Sequence, residues 1–222
     1  MALKMKNRSL IYVVDPMCSW CWGFSPVFEE IVRRYQAQVN VQILLGGLRP
    51  GNKKPFDAEK RDYVLHHWHA VHERTGQPFN FTFHMSSDFT YDTEPPSRAV
   101  RVVRQLAPDK ERAYLKAVQE AFYVQNRDVT REQVLSEIAE GRGLEQPVFL
   151  ELFRNPVTKK DTWEEFAQAR DWGVDGFPTL LGRHATDYAI LMHGYQTLDK
   201  LAPILDRWLA RGHETATSMV EG

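Results

Sequence analysis

Both cysteines of this 222-residue chain lie in one tetrapeptide, Cys18-Ser19-Trp20-Cys21. It follows a short apolar run, Ser9 to Val14, that is typical of a buried strand, and it precedes a segment with helical periodicity. If a helix begins near Cys18, both sulfurs lie on one helical face, within reach of a disulfide. A thiol at a helix start also faces unpaired backbone N–H groups, which stabilise the thiolate. The sequence therefore predicts a redox pair with Cys18 as the nucleophile and Cys21 as the resolving thiol.

Three other interpretations of the cysteine pair are weaker. A structural disulfide between residues so close together would close almost no loop, so its entropic gain would be small. A zinc site needs four ligands, and the sequence offers neither a second C-x-x-C motif nor a nearby Cys/His pair. Two unrelated buried cysteines are the third alternative. We predict redox chemistry and no metal.

The composition argues against partners that need a strong electrostatic field. Lys and Arg number 28 and Asp and Glu 29, for a net charge of −1 and a pI near 6.7. This balance gives no basic field of the kind that attracts nucleic acid. The apolar run is also shorter than a secretory signal, which needs roughly 7–15 apolar residues, or a membrane span of about 20. We therefore expect a cytoplasmic protein without nucleic-acid or membrane partners, where a C-x-x-C motif is more often catalytic than structural.

The first quarter of the chain has a strand–helix–strand pattern. Val27, Ile31 and Tyr35 form one apolar helical stripe, and Pro26 within that helix is expected to kink it or end its first segment. A second strand, Val39 to Leu45, is stopped by two glycines. A crossover of this kind makes the two strands parallel and the connection right-handed.

The rest of the chain divides into a helical middle and a return to α/β character. From about residue 49 to 160 the apolar periodicity is helical throughout. A helix capped by Asp161 follows, then two short strands, Leu180-Leu181 and Tyr188 to Met192, that indicate an antiparallel hairpin. A terminal helix begins near Leu198. We predict one domain made of residues 1–48 and 160–222, interrupted by a helical insertion, residues 49–159.

The order of these features resembles the thioredoxin superfamily and, within it, the DsbA-like group, whose thioredoxin core is interrupted by a helical domain. The resemblance is carried by Cys18-Ser19-Trp20-Cys21, by Pro26 and by Gly176-Phe177-Pro178-Thr179 before the hairpin. It implies an α/β thioredoxin-like fold, with a mixed sheet of about four strands flanked by helices and an inserted all-helical domain.

The resemblance also implies a role for Phe177-Pro178. The residues alone favour a trans bond, since only about 5–6% of X–Pro bonds in folded proteins are cis. In the family the equivalent proline is cis and lies against the cysteine pair, and the residue before it presents its backbone to a docked cysteine. We therefore predict Ser19, Trp20, Phe177 and Pro178 as substrate-binding residues.

Two features near the cysteines depart from the secreted members of the group. Trp20 stands where those oxidases often carry histidine, so we expect a less strongly oxidising pair. Asp15 places a carboxylate near Cys18, where it would disfavour a thiolate if close. A turn residue before Pro16 is the favoured interpretation of Asp15.

Three functions fit the sequence. The leading one is a protein disulfide oxidoreductase or isomerase acting on a cysteine-containing protein or a low-molecular-weight thiol or disulfide. The second is a glutathione-dependent transferase or isomerase of the kappa or chromene-carboxylate isomerase type. Those relatives typically carry serine at the first cysteine position, which argues against them here. The third is a non-enzymatic adaptor that delivers a client to a protease. We predict no resident cofactor, with glutathione as the candidate co-substrate.

Two side-chain clusters outside the motif have a structural and a functional interpretation. The histidines around Trp68 lack companion ligands at metal-site spacing, so we favour a partly exposed helix over a metal site: His66, His67, His69 and His72. Four phenylalanines could line a substrate groove, but such residues more often form core: Phe79, Phe81, Phe83 and Phe89.

Overall fold

A computed structural model describes residues 8–217 except positions 84 and 87, with side chains up to residue 210. Its four strands form one mixed sheet in the order β2-β1-β3-β4. The strands are β1 Arg8–Val14, β2 Asn40–Leu45, β3 Thr179–His184 and β4 Asp187–His193. The α/β fold with a mixed four-stranded sheet, expected from the family resemblance, is confirmed.

β1 lies in the middle of the sheet and sets its register. It pairs in parallel with β2, with Tyr12 opposite Ile43, and antiparallel with β3, with Val13 opposite Thr179. The parallel pairing predicted for the first two strands is confirmed, and so is the hairpin of β3 and β4. Both faces of this interior strand are covered, so the side chains of Ser9 to Val14 are buried, which explains the run of apolar residues from Leu10 to Val14.

The described residues form eight α-helices and one short 3-10 helix, Pro108–Lys110. The helices are α1 Ser19–Tyr35, α2 Ala58–Thr75, α3 Glu94–Leu106, α4 Glu111–Tyr123, α5 Glu132–Glu140, α6 Gln146–Arg154, α7 Pro156–Asp171 and α8 Leu198–Thr217. Helices α2 to α7 lie between β2 and β3 in the chain. The division at residues 48/49 and 159/160 stays a prediction, and α7 runs across its second boundary. Residues 1–7 and 218–222 of the predicted domain lie outside the described part of the chain.

The expected start of α7 at Asp161 was wrong. The helix begins at Pro156, and the side chain of Asn155 accepts a hydrogen bond from the Val157 backbone N–H at 2.8 Å. An Asn N-cap followed by proline in the first turn is a strong helix start. Asp161 instead lies inside the helix and pairs with Arg101 at 2.7 Å.

Two apolar clusters cover the two faces of the sheet. Leu10, Tyr12 and Val14 point into the larger one, which includes α1 and the aromatic residues of the helical segment. Ile11 and Val13 point into the smaller one, against α7. The four phenylalanines belong to the larger cluster: Phe83 and Phe89 are buried, and Phe79 and Phe81 pack against it. The core interpretation of these rings is therefore confirmed.

Candidate active site around Cys18 and Cys21

Cys18 is the N-cap residue of α1. Its extended backbone (φ −87°, ψ 115°) leads from the turn after β1 into the helix. The Cys18 carbonyl accepts hydrogen bonds from the backbone N–H groups of Cys21 and Trp22, at 3.0 and 3.1 Å. The first turn of α1 carries no acidic residue, so the positive end of the helix dipole is not offset there. The predicted helix start is confirmed, and α1 continues through Pro26 without ending.

The two thiols are free and differ in access. Cys18 is 6% exposed and lies at the edge of a cavity of about 200 Å³, whereas Cys21 is fully buried one turn inside α1. Burial raises the pKa of Cys21 well above its ordinary value, and the adjacent Cys18 raises it further. Of the two thiols, Cys18 is therefore the one that a molecule in this cavity can reach.

Phe177 and Pro178 reach Cys18 from a distant part of the sequence. They immediately precede β3, whose antiparallel pairing with β1 places Thr179 opposite Val13, close to the start of α1. The Phe177–Pro178 peptide bond is cis, as the family resemblance predicted. The Cys18 thiol donates a hydrogen bond to the Phe177 carbonyl, with Sγ and oxygen 3.6 Å apart.

The cavity beside Cys18 collects most of the predicted site residues. Ser19, Trp20 and Phe177 line it with Cys18, whereas Pro178 is buried and is not one of its lining residues. Their roles in binding stay predictions. Trp22 points away from the cavity, because its indole N–H donates to the Pro78 carbonyl at 2.9 Å.

Several residues that line the cavity were not identified from the sequence. They come from the loop after β2, from one face of α2 and from the segment before α3: Leu48, Arg49, Tyr63, Val64, His67, Trp68 and Tyr91. The Tyr91 hydroxyl donates to the Met17 carbonyl at 2.6 Å and so supports the backbone just before Cys18. No local sequence signal indicates these contacts, since each depends on how the helical segment packs against the sheet.

Asp15 lies fully buried beneath the site. Its carboxylate accepts hydrogen bonds from the backbone N–H groups of Met17, at 2.8 Å, and Leu48, at 2.6 Å. Burial raises the pKa of Asp15 to about 6, although both hydrogen bonds act in the opposite direction. The carboxylate charge in turn raises the pKa of Cys21. Asp15 is thus the turn residue that the sequence favoured, and its charge also acts on the cysteine pair.

The histidines of α2 have separate partners. The His67 ring pairs through Nδ1 with the Tyr63 carbonyl at 2.9 Å, and the His72 ring pairs with the Gln77 carbonyl at 2.7 Å. His69 stacks on Phe81 with ring centroids 4.0 Å apart. Across the described residues, no group of three or more His, Cys, Asp or Glu side chains is arranged to hold a metal ion. None of the described helices is both long and apolar enough to cross a membrane.

Comparison with known proteins identifies the family. The family model of the DSBA-like thioredoxin domain matches residues 9–206. A solved structure of a proposed protein disulfide isomerase from Nitrosomonas europaea is 40% identical, covers 92% of this chain and 98% of its own, and superposes with a TM-score of 0.86.

Two further relatives differ in what they do. The cytosolic disulfide reductase DsbM from Pseudomonas aeruginosa is 27% identical, with 91% of this chain and 98% of that chain covered and a TM-score of 0.75. It has also been solved with GSH. The ClpXP adapter protein SpxH from Halalkalibacterium halodurans is 22% identical over 182 residues, or 80% of this chain. The chain spans only 59% of the length of that curated relative.

Proposed function

Because the chain belongs to the DSBA-like thioredoxin domain family, we propose that it is a thiol–disulfide oxidoreductase that works through Cys18 and Cys21. One observation carries this proposal. Cys18 is the N-cap residue of α1, and its thiol borders a cavity and lies 3.6 Å from the carbonyl of Phe177, while Cys21 lies buried one turn away. A nucleophilic thiol needs such access and such a positive helix end.

The reaction is two successive thiol–disulfide exchanges. The Cys18 thiolate attacks one sulfur of a substrate disulfide, so that a Cys18–substrate disulfide forms and the other substrate sulfur leaves as a thiolate. Cys21, after losing its proton, attacks the Cys18 sulfur and releases the second substrate thiolate. The substrate gains two electrons, and the protein is left with a Cys18–Cys21 disulfide. An external dithiol returns it to the reduced state, and the reverse sequence oxidises a substrate dithiol.

The difference in burial supports the assignment of roles. Cys21 is shielded from a bulky substrate disulfide, and burial raises its pKa, so it is a poor first nucleophile. The Cys21 sulfur lies on the same face of α1 as the Cys18 sulfur, so it is placed to attack a disulfide formed at Cys18. Ser19, Trp20 and Phe177 border the cavity, and in this proposal they contact the incoming substrate together with Pro178.

The substrate in this proposal is a disulfide of a cysteine-containing protein or of a low-molecular-weight thiol. The similarity to DsbM, a cytosolic disulfide reductase also solved with GSH, supports both a thiol partner and a cytoplasmic location. It also supports glutathione as a co-substrate. A glutathione transferase or isomerase is the weaker alternative, since such an activity does not require Cys21.

The similarity to SpxH supports an adaptor as a second candidate function. An adaptor needs a surface for its client and does not need turnover. A variant in which serine replaces both Cys18 and Cys21 separates the two functions in cells. Under our proposal this variant has the phenotype of a deletion strain, whereas an adaptor role predicts the wild-type phenotype.

The direct test of the oxidoreductase is turnover of the Cys18→Ser variant. We expect its rate of disulfide reduction by dithiothreitol, measured on insulin, to fall to the rate without protein. Serine is close to cysteine in size, so a wild-type circular dichroism spectrum shows that the fold is kept. Unchanged turnover in this variant would refute the proposal.

A further inference from the structure

Three cavities adjoin around Cys18 and form one cleft. The first, of about 200 Å³, is the Cys18 cavity described above. The second, of about 330 Å³, is lined by Trp20, Phe177, Arg74, Gly194 and Tyr195 and is called here the Tyr195 cavity. Trp20 and Phe177 border both, so they form a wall between the two. The third, of about 640 Å³, shares Arg49 and Tyr63 with the Cys18 cavity and continues away from the wall.

One arginine lies on each side of this wall. Arg49 lines the Cys18 cavity, with its guanidinium carbon 5.1 Å from the centre of the Tyr91 ring. Arg74, in the last turn of α2, lines the Tyr195 cavity, with its guanidinium carbon 5.9 Å from the centre of the Tyr195 ring. Stacking on an aromatic face holds a guanidinium in place and leaves its N–H edge available to an anion.

Both guanidiniums lack a carboxylate partner within the described part of the chain. Among the described residues, neither one forms an ion pair or a hydrogen bond, in contrast to Arg98, Arg101 and Arg104, which each pair with a carboxylate. No acidic side chain lines the Cys18 cavity or the Tyr195 cavity within the described residues. Asp15, beneath the site, is fully buried, and its carboxylate is bonded to backbone N–H groups. Both cavities therefore favour an anionic occupant.

The size of the cleft favours a polypeptide. The third cavity extends the cleft beyond Arg49 and carries charges of both signs, Lys54 and Lys60 with Asp57 and Glu59. A small thiol held at Cys18 would leave that space empty. In an extended chain, side chains two positions apart point to the same face, so residues two before and two after a docked cysteine face the same surface as its sulfur. Arg49 and Arg74 lie on opposite sides of the Trp20–Phe177 wall, as those two positions lie on opposite sides of the docked cysteine.

We propose that the cleft binds an extended polypeptide segment whose reacting cysteine has an acidic residue two positions before it and another two positions after it. This inference rests on the proposed oxidoreductase function and names its substrate class. Trp20 and Phe177 contact the cysteine, and one arginine binds a carboxylate on each side of the wall. The specificity is electrostatic, so it weakens as the salt concentration rises.

The test uses peptides of the form Glu-Gly-Cys-Gly-Glu, with the cysteine linked to thiopyridine as a disulfide. Attack by Cys18 on the peptide sulfur releases neutral thiopyridone, whose absorbance gives the second-order rate constant. The matched peptides replace both glutamates by glutamine or by lysine. With two charge pairs at exposed sites, we expect the glutamate peptide to react about tenfold faster than the glutamine peptide. The lysine peptide is expected to be the slowest of the three.

Substitution of the arginines identifies the source of the preference. We expect Arg49→Gln and Arg74→Gln each to reduce the ratio of glutamate to glutamine rates to about threefold, and the double variant to remove it. Arg207, exposed in α8 and outside all three cavities, provides the control, and Arg207→Gln should keep the wild-type ratio.

The outcomes separate this inference from the function on which it rests. If no peptide releases thiopyridone faster than it does with Cys18→Ser, the oxidoreductase itself is refuted. If all three peptides react rapidly at equal rates, Cys18 is the nucleophile but the acidic preference is refuted. If the thiopyridine disulfide of glutathione reacts faster than the glutamate peptide, a small thiol occupies the cleft and the polypeptide assignment is overturned.

Discussion

The ring of Phe177 lies directly against Gly46, and this contact makes the geometry of the site testable. Gly46 follows β2, and its backbone N–H donates to the Val14 carbonyl at 2.9 Å. A Cβ atom at this position would lie 2.8 Å from Cδ1 of Phe177 and still closer to Cε1 and Cζ. Real Cβ atoms do not come so close to a ring, so Gly46→Ala must displace either the Phe177 ring or the end of β2.

The displacement should cost both stability and turnover. One extra methyl group in a packed site typically costs about 1–3 kcal/mol. Phe177 is only half-buried, so its ring is the group that moves, and it then leaves the wall beside Cys18. We expect Gly46→Ala to lower the free energy of unfolding by about 1–3 kcal/mol in urea titrations followed by tryptophan fluorescence. The rate of disulfide reduction should fall together with it.

Gly141 provides a matched control for the same substitution. It has a helical backbone (φ −59°, ψ −7°), and a Cβ atom there would meet only carbonyl oxygens at 3.6 Å, an ordinary contact. Gly141→Ala should be neutral or stabilise by about 0.4–1 kcal/mol, since alanine restricts the unfolded chain. A second substitution, Phe177→Val, should recover part of the stability lost in Gly46→Ala. Wild-type stability and turnover in Gly46→Ala would refute this placement of Phe177.

Two further predictions concern the buried polar groups beneath the site. Because burial raises the pKa of Asp15 to about 6, the folded state favours the protonated carboxyl group. The free energy of unfolding is therefore highest below pH 4 and falls by up to about 3 kcal/mol as the pH rises through 6. In urea titrations between pH 4 and 7, the free energy of unfolding of the wild type should fall by this amount relative to that of Asp15→Asn. The same pH dependence in both proteins would contradict the raised pKa. Tyr91→Phe leaves the buried Met17 carbonyl without its donor and should cost about 1–3 kcal/mol, whereas Tyr188→Phe, on an exposed ring, should not. Equal stabilities of these two variants would contradict the role of Tyr91.

Local patterns were sufficient to predict the elements around Cys18. The apolar run of β1, the helical stripe of α1 and the polar turn between β3 and β4 are each signals within one short stretch of sequence. Such signals depend on the periodicity of a single element. The same kind of signal marks the start of α7 at Asn155-Pro156, and a start at Asp161 was the wrong prediction because a carboxylate inside a helix can resemble an N-cap in sequence.

The far side of the site could not be predicted from local patterns. Phe177 meets Cys18 because β3 pairs with β1, which a single sequence does not reveal without a family resemblance. Arg49 and Tyr91 enter the cavity only through the packing of the helical segment.

Glycine and aspartate illustrate the same limit at single positions. The sequence indicates that Gly46 ends a strand, but the aromatic ring that requires a residue without Cβ comes from Phe177, far along the chain. The pattern around Asp15 predicts its turn and thus the bond from Met17. It does not predict the bond from Leu48, nor the burial that raises the pKa of Asp15. Properties that depend on burial follow from tertiary structure, and composition does not determine them.

The site of covalent attachment in the Cys21→Ser variant tests the central claim most directly. Without the resolving thiol, a mixed disulfide formed at Cys18 has no internal route to breakdown and should accumulate. After incubation with a disulfide peptide, mass spectrometry of the digested protein should find one peptide linked to Cys18, removable by dithiothreitol. The Cys18→Ser variant, treated in the same way, should carry no adduct, because Cys21 is buried. An adduct on Cys21 in that variant, or none on Cys18 in Cys21→Ser, would contradict the account.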